Sequence, residues 1–133
     1  MSPRSQVVLR DPGGITVHRT LIPSGPQVFT EVIPAVRSVS VGVWVPIGSR
    51  HETRATAGAT HFLEHLLFKG TRRRSALDIA ADIEGVGGEI NAFTTKEYTC
   101  YHVRLLDEHL EVAIDVLSDM LGGSLLRHSD IEA

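Results

Sequence analysis

Two histidines and a glutamate lie close together in the segment His61-Phe62-Leu63-Glu64-His65. Residues three and four apart share one face of an α-helix, so His61 and His65 can point at one ion with Glu64 beside them. Two neutral imidazoles bind Zn²⁺ at roughly 2.0–2.1 Å, and a coordination position left to water makes such a site catalytic. The metal lowers the pKa of its water, and an adjacent carboxylate can take the proton. The spacing therefore predicts a catalytic zinc site.

The order of these letters, H-x-x-E-H, is the reverse of the common zincin helix and is the inverzincin signature. The alternative is a surface helix with two incidental histidines, because three fixed letters in five can arise by chance. A motif stays a hypothesis until its structural context agrees. The choice between a zinc site and a surface helix therefore depends on the predicted elements around the motif.

Composition limits the classes of protein to consider. The 133 residues are 42% hydrophobic and 22% charged, which is typical of one globular domain. The net charge of −3 gives no reason to expect nucleic acid or an anionic membrane as partner. Residues 1–6 show no secretory signal, and the longest mostly apolar stretch, 39–47, is too short to span a bilayer. We therefore expect a cytoplasmic protein.

The single cysteine, Cys100, excludes an intrachain disulfide and favours a reducing compartment. Because it lies in a predicted strand, we interpret it as a buried small hydrophobe and not as a nucleophile.

Hydrophobic periodicity predicts an α+β fold, a mostly antiparallel sheet with helices packed on one face, truncated at its C-terminal end. The predicted strands are 15–21, 28–33, 39–45, 89–94 and 99–105. The predicted helices are the motif helix, a helix opened by the capping box of Ser75 and Asp78, and a helix from Asp107 to Leu121 with a core stripe at Leu110, Ala113, Ile114, Leu117, Met120 and Leu121. A further capping box, 129–132, begins another helix at the end of the chain.

The segments between these elements carry further predictions. Thr56 is the predicted N-cap of the motif helix. The run Arg72-Arg73-Arg74 is interpreted as a solvated loop, with a substrate-facing basic patch as the alternative. The glycines at 85–88 follow a helix and precede a strand, the wrong order for a phosphate loop, and so predict a turn.

Taken together, these residues resemble the N-terminal part of the pitrilysin/insulinase metallopeptidases, closest to the mitochondrial processing peptidase-like branch. The resemblance covers nearly the whole chain in order. The matching stretches are 48–52, 58–65, 68–71, 87–94, 97–101 and 110–121.

The resemblance implies that His61 and His65 bind zinc and that Glu64 is the general base for peptide hydrolysis. It also implies a substrate-binding strand, since the family's Asn-Ala-x-Thr strand lies at the edge of the cleft and pairs with substrate backbone. The matching residues here are Asn91 and Ala92, followed by Phe93. Main-chain pairing of this kind suits peptides of varied sequence. The alternative is that 89–94 is an ordinary strand.

The family's third zinc ligand is a glutamate roughly 75–80 residues past the motif, which we expect beyond the end of this chain. The carboxylates that could substitute for it, without the spacing favouring one, are Glu89, Glu97, Asp130 and Glu132. Two imidazoles alone hold zinc weakly. We therefore interpret residues 1–133 as a partial N-terminal peptidase domain, inactive or nearly so alone, whose exposed apolar surface favours a homo-oligomer or poor solubility.

Three functional hypotheses follow. The first is a zinc-dependent endopeptidase that cleaves peptides, presequences or unfolded polypeptides. The second is a non-catalytic peptide-binding or assembly subunit of the same family. The third is a different zinc hydrolase with a new third ligand, against which the context of Asn91 and Tyr101 argues.

Overall fold

The structure, a computed structural model, describes residues 2–132. The chain divides into two compact units, one that ends at Val36 and one that begins at Arg37. The predicted α+β fold is confirmed, although the strands form two three-stranded antiparallel sheets and not one. None of the helices in residues 2–132 is long and apolar enough to cross a membrane. The interpretation of the chain as one partial domain stays a prediction.

The first unit is a sheet of β1 (Arg4–Arg10), β2 (Thr16–Leu21) and β3 (Gln27–Val32), in that order. The sequence predicted β2 and β3 to within two residues but missed β1. Its side chains are exposed along its whole length and its sequence shows no alternation of apolar and polar residues. The strand exists because it pairs with β2, a cause that a local pattern cannot reveal.

The second unit contains a sheet and four helices. Its sheet consists of β4 (Ser38–Val45), β5 (Glu89–Thr94) and β6 (Thr99–Leu106) in the order β4-β6-β5, so β6 is central and β5 is at an edge. The elements in chain order are β4 (Ser38–Val45), α1 (Ala59–Leu67), α2 (Ala76–Glu84), β5 (Glu89–Thr94), β6 (Thr99–Leu106), α3 (Leu110–Gly123) and α4 (His128–Ile131).

The core of the second unit lies between this sheet and helices α1, α2 and α3. Its buried members are Leu67, Ile79, Ile83, Tyr101, Val103, Leu105, Ala113, Val116, Leu117 and Met120. Cys100 is 1% exposed, as predicted for a buried strand residue. The predicted stripe of α3 is partly wrong: Val116 is buried in place of Leu110 and Ile114, which remain 36% and 49% exposed. The face of α3 that meets the sheet consists of residues 113, 116, 117 and 120. It repeats with the same helical period as the predicted face but is rotated about the helix axis by a fraction of a turn.

Three of the predicted turns and caps have a clear outcome. The capping box of Ser75 and Asp78 is confirmed by reciprocal hydrogen bonds, with Ser75 N donating to Asp78 Oδ2 at 2.8 Å and Asp78 N donating to Ser75 Oγ at 3.2 Å. The glycines at 85–88 form the turn between α2 and β5. The prediction of Thr56 as N-cap is wrong, because α1 begins after Gly58 and the Thr56 hydroxyl instead closes a separate short 3-10 turn with Thr53.

The solvated basic loop that the sequence predicted after α1 is confirmed at Arg72 and Arg73, which are exposed, but is wrong at Arg74. The Arg74 side chain is only 12% exposed, and its guanidinium contacts Asp82 at 2.7 Å and Asp119 at 2.9 Å. The hydroxyl of Thr71 donates to Asp119 at 2.7 Å. Because Asp82 lies on α2 and Asp119 on α3, this ion cluster fastens the loop to both helices.

We predict that Arg74→Met lowers the free energy of unfolding by about 2 kcal/mol, because the hydrogen bonds of Arg74 to the aspartates are lost and the buried Asp119 keeps only the neutral Thr71 hydroxyl in place of its cationic partner. Urea unfolding of the purified chain measures the change. The matched control is Arg73→Met, because the Arg73 side chain is 58% exposed and within residues 2–132 it binds only Asp115. We expect a much smaller effect there, because exposed ion pairs contribute little. Equal effects of the two substitutions would contradict the assignment of the stabilising role to Arg74.

The same cluster predicts a pH dependence of stability. Hydrogen bonds from Arg73 and then Arg74 lower the pKa of Asp115 to about 2, against about 3.9 for an unfolded aspartate. A carboxyl whose pKa is lower in the folded state stabilises fully above the unfolded pKa and loses that contribution as the pH falls toward the folded pKa. We expect Asp115→Asn to flatten the plot of unfolding free energy between about pH 4 and pH 2. An unchanged slope in urea titrations across that range would refute this.

Candidate metal centre

The motif residues lie on the middle of α1, one turn apart. The Nε2 atoms of His61 and His65 are 3.1 Å apart, and their rings meet edge to face with centroids 4.6 Å apart. One ligand atom from each of His61, Glu64 and His65 lies within 4.8 Å of the other two. Both histidines are exposed, while Glu64 is 7% exposed. The helix therefore presents its imidazoles outward and holds its carboxylate against the fold.

This donor set fits a zinc ion. Two ligand atoms at 2.0–2.1 Å from a tetrahedral zinc are separated by roughly 3.3 Å, close to the observed Nε2–Nε2 distance. Neutral imidazole nitrogens are ligands that zinc prefers, and solvent reaches both rings. Two protein ligands leave further coordination positions to be filled.

The helix start that positions His61 depends on Glu52, six residues before its glycine N-cap. Gly58 has a φ of +88° and offers no side chain to the free N–H groups of the first turn. The Glu52 carboxylate accepts from Gly58 N at 2.7 Å and from Thr60 N at 2.9 Å. The Thr60 hydroxyl, followed by these two N–H groups, lowers the pKa of Glu52. An anionic cap therefore faces the positive end of the helix dipole.

The segment that carries Glu52 is itself fixed to the turn between β5 and β6. Ser49 N donates to the Thr95 carbonyl at 3.1 Å, and Arg50 N to the Lys96 carbonyl at 2.8 Å. A Cβ at Gly48 would lie 2.3 Å from the Thr95 carbonyl oxygen. Only glycine at position 48 allows this approach of the two backbones.

Two polar groups surround Glu64 on the inner side of α1. The hydroxyl of Thr94, the last residue of β5, donates to Glu64 Oε2. Tyr101 is 4% exposed, and burial, followed by the charge of Glu64, raises the pKa of Tyr101 to about 12. The Tyr101 phenol therefore stays neutral at physiological pH.

The predicted substrate strand, β5, has a free edge in residues 2–132. Thr95 N donates to the Tyr98 carbonyl, so Thr94 and Thr99 are a pair without mutual backbone hydrogen bonds, as are Ala92 and Tyr101. The backbone groups of Ala92 therefore point to the free edge. There Ala92 N donates to the Asn91 carboxamide at 2.8 Å.

The structure separates the three residues predicted to bind substrate. Ala92 offers its backbone to the free edge, and Asn91 covers that N–H with its own side chain. The Phe93 ring lies on the sheet face opposite the helices, edge-on to Trp44 with centroids 6.0 Å apart. It is therefore not brought to the histidine pair.

None of the other carboxylates considered as a third ligand joins the group in residues 2–132. Glu97 pairs with Arg50 at 2.5 Å, Asp130 with Arg127 at 3.7 Å, and Glu132 lies 3.6 Å from His128. Glu89 is exposed at the start of β5.

Sequence reasoning assigned no role to Glu52 or Thr94. The contact of Glu52 with Gly58 and Thr60 spans six to eight residues, outside the local capping patterns that a sequence can reveal. Thr94 did carry a signal: it shares the alternation of Ile90 and Ala92, the half-buried positions of β5 that face the helices.

With the site described, comparison with known proteins identifies the family. The family model for insulinase (peptidase family M16) matches residues 27–133. The chain is 57% identical over 130 residues to an uncharacterized zinc protease of Streptomyces coelicolor, covering 97% of this chain and 28% of the relative. It is 47% identical over 116 residues to an uncharacterized zinc protease of Bacillus subtilis (87% and 28%). It is 45% identical over 111 residues to the mitochondrial-processing peptidase subunit beta of Saccharomyces cerevisiae (84% and 24%).

The chain therefore belongs to the insulinase family of peptidases, as the sequence motifs implied. It spans about a quarter of the length of these relatives.

We predict that Glu52→Gln weakens zinc binding by the chain several-fold, because the first turn of α1 loses the negative charge that stabilises it. Competition with a zinc-chelating dye measures the dissociation constant. Glu97→Gln is the matched control, since its carboxylate is exposed and contacts Arg50 and not α1. An affinity equal to that of the unchanged chain in Glu52→Gln would show that the cap does not position His61.

Proposed function

We propose that this chain supplies two zinc ligands, His61 and His65, and the general base, Glu64, of a zinc-dependent endopeptidase. The observation that supports this most directly is the convergence of the three ligand atoms, all within 4.8 Å of one another on one helix. The relatives' names, zinc protease and mitochondrial-processing peptidase, agree with this chemistry. The substrates we propose are peptides or unfolded polypeptides.

The free edge of β5 supports a way for such a substrate to bind. An extended peptide can add to this edge by main-chain hydrogen bonds to Ala92, which makes binding largely independent of sequence. Because α1 contacts β5, a peptide on this edge would lie beside the motif helix.

In the reaction we propose, Glu64 accepts a proton from the water that attacks the peptide carbonyl and then passes it to the leaving amine. A bound zinc ion supplies Lewis-acid chemistry, lowering the pKa of that water and polarising the carbonyl. His61 and His65 are the residues that would hold the ion. The inner position of Glu64 keeps its carboxylate in a defined place beside them.

The third ligand is part of the proposal. Since no further carboxylate among residues 2–132 joins the histidine pair, we propose that it comes from outside these residues, either from a longer protein or from a second chain. These residues alone are then weak zinc binders and nearly inactive. The cytoplasmic location stays a prediction.

We predict that Glu64→Gln in the full-length protein that contains this chain lowers kcat for a peptide substrate at least about 100-fold, because the proton acceptor is lost. Zinc content by elemental analysis and KM are expected to change little. Glu111→Gln, an exposed position in the first turn of α3, is the control and should retain activity.

The same variant tests the alternative of a non-catalytic peptide-binding subunit. The alternative would replace the peptidase proposal if the unsubstituted protein binds peptides without zinc-dependent cleavage and Glu64→Gln binds them equally well. Cleavage at a normal rate by the isolated 133 residues would instead refute the external third ligand.

A further inference from the structure

The inner face of α1 meets the last residue of β5 at a polar contact. Glu64 is 7% exposed, and its Oε2 accepts a hydrogen bond from the Thr94 hydroxyl. In the part of the chain that the structure describes, the other carboxylate oxygen of Glu64 has no hydrogen-bond donor. One carboxylate oxygen is thus held by the sheet, and the other makes no hydrogen bond within these residues.

We propose that Thr94 is a positioning residue that holds the general base in its working orientation. This inference rests on the proposed function, in which Glu64 is that base. A glutamate side chain rotates about three bonds, and on a helix surface its carboxylate would sample several positions. A hydroxyl donor from a neighbouring strand selects one of them, and charged acceptors form the stronger hydrogen bonds.

The surroundings of Thr94 direct its proton to Glu64. Thr99, its cross-strand partner, has its own hydroxyl committed to the Ile47 carbonyl at 2.9 Å, and the two threonine oxygens are 3.5 Å apart. Among residues 2–132, the Thr94 hydroxyl donates to Glu64 and to no other acceptor.

The location of Thr94 on β5 gives the contact a second consequence. Ala92 and Thr94 are two residues apart, and they present different groups: Ala92 its backbone to the free edge and Thr94 its hydroxyl to Glu64. One rigid strand would therefore set both the substrate backbone and the base. Positional errors between a base and a reacting carbonyl are costly in rate, and a shared strand removes one source of them.

The test uses Thr94→Val and Thr94→Ser in the full-length protein that contains this chain, with zinc loaded. Valine keeps the shape of threonine without the hydroxyl, and serine keeps the hydroxyl. We expect Thr94→Val to lower kcat on the order of 10- to 100-fold, with KM and zinc affinity nearly unchanged. We expect Thr94→Ser to retain most of the original kcat. Thr99→Val is the control, because it removes a neighbouring threonine hydroxyl, on a more deeply buried residue, that donates to the Ile47 carbonyl and not to Glu64.

Two further measurements separate positioning from a structural effect. In the Glu64→Gln background, Thr94→Val should cause little additional loss, since residues that act as a unit are not additive. A crystal structure of Thr94→Val should show the Glu64 carboxylate turned away from its original place, a readout that does not require activity.

Three results would overturn the inference. They are an unchanged kcat in Thr94→Val while Glu64→Gln is inactive, equal losses in Thr94→Val and Thr99→Val that follow their unfolding temperatures, or an unmoved Glu64 carboxylate in the crystal structure. A protein without zinc-dependent cleavage in its unsubstituted form would refute the proposed function instead, and the carboxylate position in Thr94→Val would still report on the contact itself.

Discussion

Helix α1 begins at a glycine, and the free N–H groups of its first turn are bound by the Glu52 carboxylate, which comes from an earlier segment of the chain. His61 directly follows Thr60, one of the two donors, so the cap fixes the start of the helix next to the first imidazole. Glu64, one turn further on, is held by Thr94 from β5. The candidate metal centre therefore depends on a short helix that is fixed at its start and along its inner side.

Both contacts originate at one corner of the second unit. The turn between β5 and β6 binds the backbone of Ser49 and Arg50, which places Glu52, and the strand before that turn ends in Thr94. At the other end of α1, the ion cluster around Arg74 ties the following loop to α2 and α3. The helix that carries the motif is therefore bounded on both sides by polar contacts, while Leu66 and Leu67 supply its apolar contact with the fold.

The sequence was most informative where structure is local. Alternation located β4, β5 and β6, helical periodicity located α2 and α3, and the five-residue motif placed three chemically matched side chains on one face. The failures share a physical cause, which is that the deciding partner is distant. β1 needs β2, Arg74 needs aspartates on two helices, and the cap of α1 comes from Glu52 and not from Thr56. The offset in the α3 stripe is different, since periodicity gives the repeat of a buried face but not which side of it meets the sheet.

The hydrogen bond from Ala92 N to the Asn91 carboxamide helps to explain how an exposed strand edge avoids pairing with strands of other molecules. Unpaired edges attract other strands without discrimination and are a common origin of aggregation. Here the N–H of Ala92, a donor that an added strand would use, already donates to the Asn91 side chain of the same strand. Another chain must displace the Asn91 carboxamide before it can pair with Ala92, so one poorly matched contact gains little free energy. An extended segment that pairs along the edge replaces the lost hydrogen bond and adds others.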